Sequence, residues 1–201
     1  AAVVMKIGRH LAKVRRALRL AGVQPGDRVL EIGCGWGALA EKAVTEFGAS
    51  VTGVTLSTEQ LAFAQRRNPG ADLRLQDYRD ITDAPFDAIC SIEMVEAVGR
   101  EFWPGFFQAI DRALAPGGRV GIQAITIPDG RFDQYVRQAD WIQKHIFPGG
   151  LLPSPSEFRK AARAAGLEVV NELAFGLDYA ETPSRWRERF SELRLAGIER
   201  D

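Results

Sequence analysis

The chain has 201 residues, and its 26 lysines and arginines balance 26 aspartates and glutamates. That length suits one domain with a sizeable core, and the charge balance argues against nucleic acid or another polyanion as partner. No apolar run approaches the roughly 18 residues of a membrane-spanning helix, and no signal peptide, internal repeat, linker or second domain is visible. Two cysteines, Cys34 and Cys90, suggest neither a disulfide framework nor a metal set, so no metal site is expected and a reducing, cytoplasmic setting fits.

Val4, Ile7, Leu11, Val14 and Leu18 recur at three- and four-residue spacing, which predicts an amphipathic helix over 3–21 that Gly22 and Pro25-Gly26 stop. Lys6, Arg9, Lys13 and Arg16 fall on another face, and Ala1 to Gly26 contains no acid. Two readings stand: peripheral contact with anionic lipid headgroups, or a solvated face on a helix covering a sheet, which many helices show. Next, Val29 to Ile32 reads as a buried parallel strand that runs into Gly33-Cys34-Gly35-Trp36-Gly37, with a helix over 38–47. Such a turn brings backbone close to a ligand and aims a helix N-terminus at it. Its Gly-x-Gly-x-Gly spacing is one residue shorter than the dinucleotide fingerprint, and Val54-Thr55-Leu56-Ser57 offers no ribose-binding acid. The shape is that of an S-adenosylmethionine turn; a glycine turn with no ligand is the alternative.

Further strands are expected over 50–54, 73–76, 86–92, 119–127 and 167–174, and helices over 57–67, 101–114, 132–147, 156–165 and 179–195. Ser57 is placed as an N-cap with Gln60 completing a capping box, and Ser156 as a second cap. The alternation predicts an α/β fold with a doubly wound parallel sheet and ligands at its carboxyl edge. Trp141, Ile142, Ile146, Phe147, Leu151 and Leu152 are read mostly as core, with a lid or apolar tunnel as the functional alternative.

Four stretches together carry a resemblance: Glu31-Ile32-Gly33-Cys34-Gly35-Trp36-Gly37; Thr55-Leu56-Ser57 with Gln60; Ser91-Ile92-Glu93-Met94 with Glu96 and Gly99; and Ile146-Phe147-Pro148-Gly149-Gly150 with Leu152-Pro153-Ser154. The set resembles the cyclopropane-fatty-acyl-phospholipid synthase family, which includes mycolic acid cyclopropane synthases and fatty-acid C-methyltransferases. The resemblance runs from about Leu20 to Phe190, and the Phe-Pro-Gly loop is its most specific part. It implies a class I, Rossmann-like methyltransferase fold with a helical lid insertion. Residues 1–201 are then a single domain from which N- and C-terminal parts of the family fold are missing.

The resemblance also implies site residues. Gly33, Cys34 and Gly35 are expected around the methionine portion of S-adenosylmethionine, Thr55, Leu56 and Gln60 at its ribose and adenine side, and Asp77 with Tyr78 at the adenine rim. In the family a bicarbonate ion beside the reacting carbon acts as base. Glu96 matches the ion's carboxylate ligand, Ile125 its backbone contact and Tyr179 its tyrosine. The family's histidine corresponds to Gln123, and the segment holding its cysteine ligand is not in this chain. Bland readings stand beside these: a surface acid at Glu96, a core edge at Tyr179, helix capping at Thr55 and Gln60.

The implied reaction is attack of a cis double bond in an unsaturated acyl lipid on the cofactor's methyl carbon. The cation formed must be kept dry, and the position from which a proton leaves decides between a cyclopropane and a methyl or methylene branch. Gln123 cannot shuttle a proton as histidine can, which weakens ring closure and leaves room for C-methylation. Small-molecule N-methylation and an inactive cofactor-binding subunit of a lipid-modifying complex are the alternatives; homodimerisation is left open.

Overall fold

Short apolar runs bounded by glycine satisfy their backbone groups most simply when neighbours pair on both sides, and here they build one seven-stranded sheet. The computed structural model describes residues 2–5, 10–83, 85–138, 141–145 and 148–174. The strands are β1 (Ala2–Met5), β2 (Arg28–Ile32), β3 (Ser50–Thr55), β4 (Asp72–Leu75), β5 (Phe86–Ile92), β6 (Leu114–Gln123) and β7 (Glu168–Glu172). Their order is β4-β3-β2-β5-β6-β1-β7, and every ladder is parallel. The chain therefore winds outward from β2 through β3 to β4, then returns to the other side of β2 with β5.

Helices cover both faces. On one side α1 (His10–Leu20), α2 (Ala38–Phe47) and α3 (Thr58–Arg67) bury Val14, Leu18, Leu39, Ala43 and Ala64 against Val29, Val51 and Cys90. On the other, α4 (Val95–Val98), α5 (Trp103–Ala113) and α8 (Pro155–Ala164) enclose an aromatic core. There Phe107 meets Phe106 and Phe158 edge-to-face, at ring-centroid distances of 5.4 and 5.1 Å. The helices α6 (Asp129–Arg137) and α7 (Trp141–His145) lie between β6 and α8 in the chain. No helix among the described residues is long and apolar enough to cross a membrane.

The architecture agrees with the α/β expectation, and α2 occupies the expected span. Four local departures have physical causes. The expected helix over 3–21 begins only at His10; Ala2-Val3-Val4-Met5 instead pairs with β6 and β7, where a β-branched run gains ladder partners on both sides. The expected helix over 132–147 starts at Asp129 behind Pro128 and ends at Gln138, whose extended backbone separates α6 from α7. The cap of α8 is Ser154, whose Oγ accepts from Glu157 N, while Ser156 N and Oγ both donate to Asp129 Oδ1. Finally, β6 leaves the ladder after Gln123 rather than running to Ile127. That early exit matters for the site. The helix expected over 179–195 lies outside the described residues.

Two glycines of β6 set the packing distance. A Cβ on Gly118 would stand 2.8 Å from Asp87 O, and one on Gly121 2.8 Å from Ala17 O in α1. Gly121→Ala is therefore expected to push α1 off the sheet and cost about 1–3 kcal/mol, read by urea denaturation. Gly130→Ala, where a Cβ meets nothing within 4 Å, serves as the control and should cost far less.

Candidate active site

The reversal of winding between β2 and β5 leaves a crevice beyond the carboxyl ends of the strands, where parallel α/β sheets bind ligands. A cleft of about 570 Å³ lies there. Ile32, Gly33 and Gly35 line it from the end of β2, Val54 to Ser57 and Gln60 from β3 and α3, Gln76 and Tyr78 from β4, and Ile92 to Met94 from β5.

The glycine turn is shaped by what surrounds it. Gly33 (φ 82) cannot carry a side chain without overlapping that of Met94. Gly33 N and Cys34 N both donate to Val54 O, at 3.0 and 2.9 Å, which fastens the turn to β3. Gly35 (φ 49) faces open space, with nothing within 4 Å of a Cβ placed there. Gly37 caps α2 with no side chain to offer, and Asn68 Nδ2 clasps its carbonyl at 3.0 Å. Glu31 is buried in β2 with its carboxyl near the start of α2, where the Ala40 N–H favours its charged form. Burial pushes the Glu31 carboxyl well above the ordinary range. Cys34 is not part of the lining: its thiol is buried against Gly53, and desolvation with the nearby Glu31 raises it to about 12.

Across the cleft, Ser57 Oγ accepts from Gln60 N at 3.2 Å, as the cap reading expects. The return half of the capping box is not made by Gln60. Ser57 N donates instead to Thr55 Oγ1 at 3.2 Å, and that hydroxyl donates to Gln60 Oε1 at 3.3 Å. Thr55 and Gln60 are thus fixed to one another beside the cleft, with Leu56 exposed between them. Tyr78 lines the cleft with its ring edge-to-face on Phe106. Asp77 does not line it: its carboxylate caps the turn Tyr78–Asp80 and pairs with the Arg79 guanidinium, which holds its pKa below the usual value. Gln76, Glu93 and Met94 line the cleft without having been given a site role in the sequence; their position just after strand ends was the available signal.

A second group sits where β6 leaves the sheet. Ile125 N, freed from the ladder, donates to Glu96 Oε1 at 2.7 Å. Glu96 Oε2 is buried and has no partner among the described residues. Desolvation by burial raises the Glu96 carboxyl to about 7, against the lowering effect of the Ile125 N–H. Glu96 is therefore a buried group of α4, not a surface acid. Trp103 Nε1 fixes α4 from beneath by donating to Val95 O at 3.0 Å. Gln123, also buried, donates to Glu93 Oε1 at 2.9 Å, and Lys13 Nζ donates to the same oxygen at 2.8 Å.

The loop after α7 docks on this group, with Leu151 N donating to Glu96 O at 2.8 Å. Leu151 packs against the aromatic core, and Trp141 is exposed. No described residue of 129–154 lines the cleft. Ile146, Phe147, Tyr179 and the side chain of Ile142 lie outside the described residues. Of the basic face expected on the first helix, Lys13 pairs with Glu93 and Arg16 is exposed; Lys6 and Arg9 lie outside the described residues.

A parallel sheet wound from its centre, with a glycine turn at the first switch-point strand and a cleft above it, defines the class I methyltransferase fold. The family description "Mycolic acid cyclopropane synthetase" matches residues 9–199, and the chain belongs to that family. It is 44% identical over 189 residues to tuberculostearic acid methyltransferase of Mycobacterium tuberculosis, covering 90% of this chain and 44% of that protein. It is 42% identical over 183 residues to cyclopropane-fatty-acyl-phospholipid synthase of Escherichia coli, covering 89% and 46% respectively. A solved mycolic acid cyclopropane synthase in complex with SAH and CTAB superposes with a TM-score of 0.69 at 32% identity, covering 78% of this chain and 60% of that one. The chain thus spans less than half the length of the two curated relatives.

Glu96 makes a pH prediction. Its folded pKa of about 7 exceeds the ordinary 4.5, so the folded protein holds a proton the unfolded chain has lost. Stability from this group is present below pH 4.5 and falls as pH rises toward 7. Glu96→Gln is expected to gain on the parent across that window, by up to roughly 3 kcal/mol at the alkaline end. Denaturant titrations at several pH values check this; a pH-independent difference would contradict it.

Proposed function

We propose that this chain is the catalytic part of an S-adenosylmethionine-dependent C-methyltransferase acting on the cis double bond of an unsaturated fatty-acyl chain. The observation that carries the reading is a buried carboxyl, Glu96, held with a free oxygen two residues beyond Met94 of the cleft wall. The cleft suits the cofactor: Gly35 leaves room for close approach, and Thr55, Gln60, Gln76 and Tyr78 offer polar groups along one wall. S-adenosylmethionine bound there supplies an electrophilic methyl group on a cationic sulfur.

The residues' work is placement, charge and dryness. Ile32, Val54, Ile92 and Met94 give the lining an apolar part. Glu96, with a pKa of about 7, is protonated in about half of the molecules at neutral pH, and in that form its Oε2 can donate to a small basic anion. Bicarbonate suits that role: Glu96 would hold it, and the ion would supply a base. Ile125 N–H, engaged by Glu96 Oε1, then orients the carboxyl rather than the ion.

Gln123 favours a methyl or methylene branch over a ring. Its amide is committed to Glu93 and carries no titratable proton. The likeness to tuberculostearic acid methyltransferase supports the same product class.

Mass spectrometry of lipids from cells expressing the full-length protein tests the proposal. The expected result is one added CH2 per unsaturated chain, reducible by hydrogenation if a methylene branch forms and resistant if a ring forms. Unchanged lipids would count against it. Glu96→Gln is expected to lower turnover at least about 100-fold while cofactor binding, measured by calorimetry, stays near the parent value. Near-normal turnover would remove Glu96 from the mechanism.

A further inference from the structure

Among the described residues, Glu93 is the one charged residue that lines the cleft. It is also the one described non-glycine residue in left-handed backbone, with φ 55. Glycine would adopt that conformation freely, whereas a residue with a Cβ holds it under strain. Strain of this kind at a ligand cleft points to a use for the side chain.

The side chain is held on purpose-built supports. Glu93 N donates to Gln123 O at 2.9 Å, and Glu93 Oε1 receives both Gln123 Nε2 and Lys13 Nζ. Neither Gln123 nor Lys13 lines the cleft. Glu93 therefore belongs to the cleft wall while its positive partner does not, so a cation in the cleft abuts the acid of the pair and not the base. Glu93 is 41% exposed, so its field is sensitive to salt.

The ligand proposed above changes charge when it reacts. Loss of the methyl group converts a positively charged sulfonium to a neutral thioether, while the amino-acid and nucleoside ends are unaltered. We propose that Glu93 reads this difference: it favours the sulfonium cofactor over its thioether product and so speeds exchange after each turnover. The inference rests on the reading that the cleft takes S-adenosylmethionine.

Calorimetric titration of the full chain with S-adenosylmethionine and, separately, S-adenosylhomocysteine tests it at low and high salt. Glu93→Gln is expected to weaken the sulfonium ligand about tenfold and to leave the thioether within roughly twofold, with the parent's preference shrinking in salt. Glu93→Gly should do the same in a backbone relieved of strain, which separates loss of charge from misfolding. Equal weakening of both ligands, or no change in either, would overturn the assignment. Failure of the parent to bind either ligand would overturn the cofactor reading, and this inference with it.

Discussion

Where β2 ends, the backbone has no room for a side chain, and the remainder of the site follows from that. Gly33 presses against Met94, so the end of β2 and the segment after β5 are set side by side. With both adjacent N–H groups given to Val54 O, the chain turns away from the sheet and the mouth between the strands stays open. Gly37 and Asn68 carry the constraint into α3, whose opposite end presents Ser57 and Gln60 to the same cleft. One tight turn thus fixes both walls, through backbone groups that do not depend on side-chain rotamers.

The proposed chemistry rests on a different device. A strand that stopped pairing two residues later would leave Ile125 N–H in the ladder and Glu96 without a donor. Because β6 releases after Gln123, the freed N–H turns toward α4 and holds a carboxyl that burial alone would disfavour. Gln123, the last residue of the ladder, faces Glu93 instead. The two acids after β5 therefore play unlike parts: Glu96 is buried and protonatable, whereas Glu93 is partly exposed and paired with Lys13.

Much of this was legible in the sequence because it is local. The glycine spacing, the apolar run before it and the span of α2 follow from backbone rules that act over a few residues. Ser57 as a cap was legible for the same reason, but the fate of its N–H was not: Thr55, two residues back, outcompeted Gln60. Long-range pairing hid the rest. Ala2 to Met5 has a helical spacing and a strand composition, and only the presence of β6 and β7 as neighbours decides between them. The pairing of Asp77 with Arg79 and the burial of the Cys34 thiol in the core were likewise beyond local rules.

The proposed function requires the cleft to deliver a methyl carbon to an alkene carbon. Its most direct measurement is transfer from S-adenosylmethionine labelled with 13C in the methyl group, using the full-length enzyme and a cis-unsaturated phospholipid, with the product read by NMR. Label is expected in a new carbon branch on the acyl chain. Label appearing on nitrogen, or none leaving the cofactor with any unsaturated lipid, would contradict it.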